Sequence, residues 1–202
     1  MTTEIVFETH SISTDNEAGI ATGWLDGRLS EAGRQYAREL GARRRSERVD
    51  AVHTSDLRRA VETAEIAFAG SDIEIRHDWR LRECNYGKLN GVPVELLERD
   101  RPHHVDDPWP EGESYRQVVE RVQDFLRDLS YPQSEGRFVV IGHSATRWAL
   151  DHVVARRTSR DAHELAIRLA GRLGLLVQQA GASGVVVSRP VDPDPSGAGR
   201  PT

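Results

Sequence analysis

Three short segments place histidine, arginine and hydroxyl side chains next to runs of apolar residues. The apolar residues 5–7 lead to His10, which a loop of small and hydroxyl residues follows. Residues 55–60 (SDLRRA) and 141–150 (IGHSATRWAL) show a similar arrangement. A strand that delivers an imidazole to a polar loop can present it as a nucleophile to an anion. Together the three segments predict phosphoryl chemistry on histidine.

Strand and helix patterns alternate along most of the chain. Short apolar runs predict strands at residues 5–8, 50–55, 73–75 and 138–142. Helical spacing predicts a helix capped by Ser30 and further helices at 56–68, at 113–129 with Ser114 as the cap, and at 144–154. This order is typical of an α/β fold, a three-layer α/β/α sandwich with a mainly parallel central sheet. Sites in such folds gather at the carboxyl ends of strands, so we expect His10, Ser55 and His143 to share one pocket.

The composition of the chain indicates the class of protein and argues against several kinds of partner. The 202 residues are 38% hydrophobic and 29% charged, which suits one globular domain. The net charge of −5 argues against a nucleic-acid partner, and the single Cys84 excludes an internal disulfide. No apolar run reaches membrane-spanning length, and the first residues lack a signal-peptide pattern. We therefore expect a cytoplasmic protein without a membrane partner.

The end of the chain differs in character from the rest. Residues 156–183 are rich in Ala, Leu and Arg and can form a helix, and residues 184–188 (GVVVS) could form a last strand. Residues 189–202 are rich in Pro and Gly, which predicts a disordered tail. We therefore predict a single domain over residues 1–188.

The ordered motifs resemble those of the histidine phosphatase superfamily, also called the phosphoglycerate mutase-like family. The matching positions are residues 9–11 (THS), Asn16, residues 22–24 (TGW), 29–33 (LSEAG), 55–64 (SDLRRAVETA), 81–91 (LRECNYGKLNG), 110–114 (PEGES) and 142–144 (GHS). The match covers residues 4–154, and the ordered set is far more specific than any one motif.

The resemblance implies a role for each matching residue. His10 would attack the phosphoryl group, and Arg59 and His143 would bind its oxygens and stabilise the transition state. Glu83 would protonate the leaving oxygen and then activate water. Substrate contacts would come from five further residues: Thr9, Asn16, Thr22, Gly23 and Ser144. The family scheme implies no cofactor and no metal.

One position departs from the family pattern. The family carries arginine where this chain has Thr9, with Glu8 before it. Loss of such a charge-assisted donor costs about 2–4 kcal/mol in the transition state. Three explanations stay open. In the first, another arginine (Arg58, Arg82 or Arg147) takes the place of the missing one. In the second, the enzyme is slow or acts on an unusual substrate. In the third, the chain binds a phosphorylated ligand without turnover.

The resemblance also leaves the reaction type to be decided between hydrolysis and transfer. Mutases of the family carry an extra basic insertion, whereas residues 92–109 here are short and of mixed charge. This difference favours a phosphatase acting on a small phosphorylated metabolite, although residues 81–87 (LRECNYG) and 22–24 (TGW) also resemble the mutase branch. The sequence leaves the substrate undefined and a homodimer open.

Overall fold

Five strands form the central sheet of the protein. The computed structural model describes residues 3–129, 136–158 and 185–188. The strands are β1 (Thr3–Thr9), β3 (Ala51–Thr54), β4 (Ile75–His77), β6 (Gly136–Gly142) and β7 (Val185–Ser188), in the order β4-β3-β6-β1-β7. The first four are mutually parallel where they pair, and β7 is antiparallel to β1. A small second sheet pairs β2 (Ile20–Ala21) with β5 (Val92–Pro93).

Helices cover both faces of the sheet. The helices are α1 (Thr14–Glu17), α2 (Glu31–Arg44), α3 (Arg58–Ala67), α4 (Val94–Asp100), α5 (Tyr115–Leu129) and α6 (Ser144–Thr158). Short 3-10 turns lie at Trp79–Leu81, Gly87–Leu89 and Arg101–His104. None of the helices within the described part of the chain is both long and apolar enough to cross a membrane.

Alternation along β1 explains why the core has two halves. Successive side chains of a strand point to opposite faces of its sheet. Val6 packs in a cluster with Leu40 of α2 and with alanines of α3, while Ile5 and Phe7 pack in a second cluster with α5 and α6. The predicted three-layer α/β/α sandwich is therefore confirmed.

Most predicted boundaries agree with the structure to within a few residues. Ser30 caps α2 by accepting a hydrogen bond from Gly33 N at 3.1 Å, and Ser114 Oγ accepts from Gln117 N at 3.2 Å ahead of α5. The strand predicted at 73–75 is instead β4, two residues later. Ile73 lies before this strand and is packed against the core, so its apolar side chain misplaced the boundary.

The last strand of the sheet, β7, lies within residues 184–188, where the sequence suggested a last strand. β7 lies beside β1, with Phe7 opposite Val185 and Glu4 opposite Ser188. The helix predicted at 156–183 is described only as far as Thr158, where α6 ends. The rest of that prediction and the tail predicted at 189–202 lie outside the described residues.

The register of the parallel strands brings their carboxyl ends together. Thr9 of β1 lies opposite Gly142 of β6, and Thr54 of β3 lies opposite Ile141. His10 N continues the pairing by donating to Gly142 O at 2.9 Å. The residues that follow β1, β3 and β6 therefore meet at one edge of the sheet.

Candidate active site

His10 presents one ring nitrogen to the site as a free base. Its Nδ1 lies 2.7 Å from the carbonyl oxygen of Ser11, which can only accept, so Nδ1 carries the proton. Nε2 is then unprotonated, and Arg59 Nε donates toward it from 3.4 Å. Burial, followed by the charge of Arg59, lowers the pKa of His10 to about 3. The imidazole is therefore neutral at physiological pH, with its Nε2 lone pair available.

Arg59 links the loop after β2 to both histidines. It lies in the first turn of α3 and is only 2% exposed. Its Nη2 donates to Gly23 O at 2.8 Å and lies 3.3 Å from His143 Nδ1. Gly23 has a φ of +54°, and a Cβ there would lie 1.8 Å from Asn90 Oδ1. The glycine thus allows the chain to turn its carbonyl toward the guanidinium.

His143 is fully buried behind His10. Their ring centroids are 4.8 Å apart, and burial, followed by the charge of Arg59, lowers the pKa of His143 well below its ordinary value. Since Nδ1 accepts from Arg59, the proton of the neutral ring lies on Nε2. Within the described residues, His143 Nε2 has no hydrogen-bond partner. A buried donor in this state is suited to binding an anionic oxygen.

Glu83 is held at the start of α6. Its side chain is buried, and Oε1 accepts from Cys84 N at 2.8 Å and from Ala145 N at 3.2 Å. The N–H groups at a helix amino terminus lack partners within the helix, and here one of them holds Oε1 in place. Oε2 takes part in neither bond, so one carboxyl oxygen stays available for proton transfer.

Two further residues, whose roles sequence reasoning missed, fix the backbone of Glu83. Arg121 on α5 donates to Glu83 O at 3.0 Å and to the Glu113 carboxylate at 2.9 and 3.1 Å. Trp24 Nε1 donates to the same Glu83 carbonyl at 2.7 Å. Arg121 is 5% exposed, although it is charged. A charged residue on the apolar face of α5 was the one available signal for this role.

The structure places the four residues predicted to be catalytic in this region. His10 and His143 both contact Arg59, and Glu83 acts electrostatically on Arg59 from the amino end of α6. This grouping is the arrangement that attack by an imidazole on a phosphoryl group would require.

The residues predicted to bind substrate have more varied surroundings. Gly23 contacts Arg59, as described above. Asn16 Oδ1 accepts from Ser13 N and completes the capping box of α1, whose N-cap is Ser13. Thr22 Oγ1 donates to Asp15 at 2.8 Å. Two of the predicted substrate contacts therefore also hold the loop after β1 in shape.

The other two predicted substrate contacts lie at the ends of strands. Thr9 is exposed at the end of β1, and Ser144 is half-buried at the first position of α6. Their contacts with substrate stay predictions.

Comparison with known proteins gives a consistent family. A family model described as histidine phosphatase superfamily (branch 1) matches residues 5–186. The 2,3-bisphosphoglycerate-dependent phosphoglycerate mutase of Bifidobacterium longum is 32% identical over 177 residues, covering 70% of this chain and 72% of that protein. The family model spans most of the chain, including all four residues predicted to be catalytic.

Solved structures show the same fold. YhfR of Bacillus stearothermophilus has a TM-score of 0.69 at 27% identity, covering 76% of this chain and 80% of that one. Mycobacterial glucosyl-3-phosphoglycerate phosphatase has a TM-score of 0.71 at 22% identity, covering 83% and 84%. At 22% identity, the second likeness concerns the fold alone.

Proposed function

The chain belongs to the histidine phosphatase superfamily (branch 1), the superfamily that its motifs predicted. We propose that it hydrolyses phosphomonoesters through a phosphohistidine on His10. The superfamily contains phosphatases and mutases, and both are enzymes of phosphoryl transfer. The substrate class we propose is a small phosphorylated metabolite.

The hydrogen bonding of His10 is the observation that carries this proposal, because Nδ1 donates to Ser11 O and leaves Nε2 as the free base. Its Nε2 lone pair attacks phosphorus, and the bond from phosphorus to the ester oxygen breaks as the P–N bond forms. Arg59 donates to the phosphoryl oxygens from its position between the two histidines. His143 adds its unpartnered Nε2–H, so the growing charge meets donors that are already in place.

Glu83 manages the protons of both steps. In the first step its carboxyl group gives a proton to the leaving alcohol oxygen. In the second step the resulting carboxylate takes a proton from water, which attacks phosphorus and breaks the P–N bond. The products are inorganic phosphate and His10 in its original neutral form. Hydrogen bonds to Oε1 and to the backbone carbonyl hold Glu83 in one orientation throughout.

Hydrolysis is favoured over transfer by the segment that follows Gly91. This segment consists of β5, the seven-residue α4 and the short turn Arg101–His104, and its charges are mixed. A mutase must hold a second phosphate and protect the phosphohistidine from water, which a longer basic insertion would serve. Mutase activity is the second candidate, because the chain is 32% identical in sequence to a phosphoglycerate mutase. It would require a bisphosphorylated primer and yield an isomer instead of phosphate.

A binding protein without turnover is the third candidate, because Thr9 removes one guanidinium. The retention of His10, Arg59, Glu83 and His143 favours activity, since binding alone needs neither a nucleophile nor a proton donor.

Phosphate release from a panel of phosphomonoesters tests the proposal. We expect release by the native chain and loss of at least a thousandfold in His10→Ala. His103→Ala is the matched control, because His103 is exposed in the turn after α4 and should leave release unchanged. Equal rates in the native chain and His10→Ala would refute the nucleophile. Isomer formation that depends on primer, without phosphate release, would establish the mutase instead.

A further inference from the structure

The candidate site holds one arginine, Arg59, between its two histidines. Position 9, where the family carries another arginine, is Thr9 in this chain. Thr9 ends β1 with an exposed side chain. His10 and His143 are neutral, so Arg59 is the only cation in contact with either ring among the described residues. The phosphoryl group carries negative charge on three equatorial oxygens. A second guanidinium would therefore add a large stabilising contribution if one could reach the site.

Two of the three arginines proposed from the sequence are engaged or turned outward. Arg82 donates to both carboxylate oxygens of Asp56, at 2.6 and 2.5 Å, and its guanidinium lies 4.5 Å from the centre of the Trp24 ring. Arg58 has a side chain that is 51% exposed and lies 3.7 Å from Asp26. Neither side chain is poised to replace an arginine at position 9.

Arg147 lies on the same side of the sheet as Thr9. Since β1 side chains alternate, Thr9 points to the face that also carries Ile5 and Phe7. That face is covered by α6, whose Ala145, Trp148 and Ala149 share a core cluster with Ile5 and Phe7. Helix α6 therefore packs over the strand that ends at Thr9.

Arg147 lies close to the site along α6. Its backbone N–H donates to His143 O at 3.0 Å, so it lies one turn beyond a residue of the site. Side chains of a helix tilt toward its amino terminus. The Cα–Cβ bond of Arg147 thus tilts toward the turn that contains His143.

One nitrogen of the Arg147 guanidinium, Nε, lacks a hydrogen-bond partner among the described residues. Arg147 as a whole is half-buried, and its Nε is buried. A buried guanidinium nitrogen without an acceptor costs free energy, which binding an anion would recover.

We infer that Arg147 supplies the guanidinium that the first motif lacks, donating to a phosphoryl oxygen from α6 instead of from position 9. The inference rests on the proposed function, because it assigns a phosphate-binding residue to the same site. It also explains how the chain tolerates Thr9.

Inorganic phosphate is the probe for this inference, with calorimetric binding as the readout besides turnover. Arg147→Met keeps the apolar stem and removes the charge, and we expect phosphate to bind about 10- to 100-fold more weakly. Arg58→Met removes an equal charge from the outward-facing side chain of α3, and we expect less than a twofold change. Adding Thr9→Arg to Arg147→Met should restore most of the lost affinity, since the charge returns at the family position.

Several results would separate the inference from the proposed function. The inference is overturned if Arg147→Met binds phosphate as tightly as the native chain, or if Thr9→Arg does not restore the lost affinity. The proposed function still holds in that case if the native chain hydrolyses esters. A native chain that binds phosphate through Arg147 without hydrolysing any ester refutes the proposed function and keeps the inference. No phosphate binding by the native chain refutes the inference. If Arg147→Met fails to fold in a thermal melt, Arg147→Lys keeps charge and stem, and the loss of the planar fork should weaken binding by an intermediate factor.

Discussion

The neutral state of His10 makes the stability of the protein depend on pH. Its pKa is about 3 in the folded chain against 6.5 for the free side chain. A pKa that is lowered by folding means that protons bind more strongly to the unfolded chain. The stabilising contribution is therefore complete above pH 6.5 and declines as the pH falls from 6.5 toward 3.

The size of the change in the free energy of unfolding follows from the difference between 6.5 and the pH of the measurement. At pH 5 the unfolded imidazole is protonated and the folded one is still neutral, a gap of about 1.5 pH units. Each unit corresponds to about 1.36 kcal/mol, so His10 alone lowers the free energy of unfolding by about 2 kcal/mol between pH 8 and pH 5. His143 adds to the loss in the same direction, because burial lowers its pKa too.

Urea denaturation at pH 8, 7, 6 and 5 in phosphate-free buffer measures this effect. We expect the native chain to lose about 2 kcal/mol more than His10→Asn between pH 8 and pH 5. Val140→Ala truncates a buried side chain of β6 and serves as the control, since it should lower stability at every pH and keep the full loss in acid. Equal pH dependence in the native chain and His10→Asn, or an NMR titration of His10 near pH 6.5, would refute the reasoning.

Two further substitutions test the supports of the site. Arg121→Met should lower the free energy of unfolding by about 3 kcal/mol, because it leaves the Glu113 carboxylate without its ion-pair partner. Urea denaturation measures this loss, and a value below about 1 kcal/mol would contradict the reasoning. Gly23→Ala should reduce phosphate release at least tenfold, since its Cβ would displace Asn90 and turn the carbonyl away from the guanidinium. Gly70→Ala is its control, with a φ of +72° and no atom within 4 Å of a new Cβ, and should cost about 1 kcal/mol of stability with full activity. Equal activity in the two glycine variants would refute the role of the Gly23 carbonyl.

The sequence alone predicted the sheet and the residues that the structure brings together at the candidate site, because both have local signals. Buried parallel strands appear as short apolar runs, and the polar residues directly after them mark the carboxyl edge. His10 and His143 follow two such runs, and the structure brings both into contact with Arg59. Ser30 and Ser114 were likewise recognisable as caps, since a cap bonds within three residues of itself.

Contacts between distant segments had no such signal. Arg121 lies 38 residues from Glu83, so the apolar periodicity of α5 could show that Arg121 shares the buried face but not which groups it contacts. Asn16 was predicted to contact substrate from its motif position alone. Its part in the capping box of α1 depends on a turn that no apolar pattern in the sequence indicates. Helix α4 was missed for a similar reason, because seven residues of mixed charge give little helical periodicity.

The most direct test of the central proposal is the identification of the residue that carries the phosphoryl group. The protein should be mixed with a hydrolysed ester from the panel, quenched in alkali to preserve the P–N bond, digested and analysed by mass spectrometry. We predict one phosphoryl group on the peptide containing His10, absent from His10→Ala and present in His103→Ala. Turnover with no phosphoryl group on His10 at any time point, or phosphorylation of another residue in the native chain, would contradict the proposal.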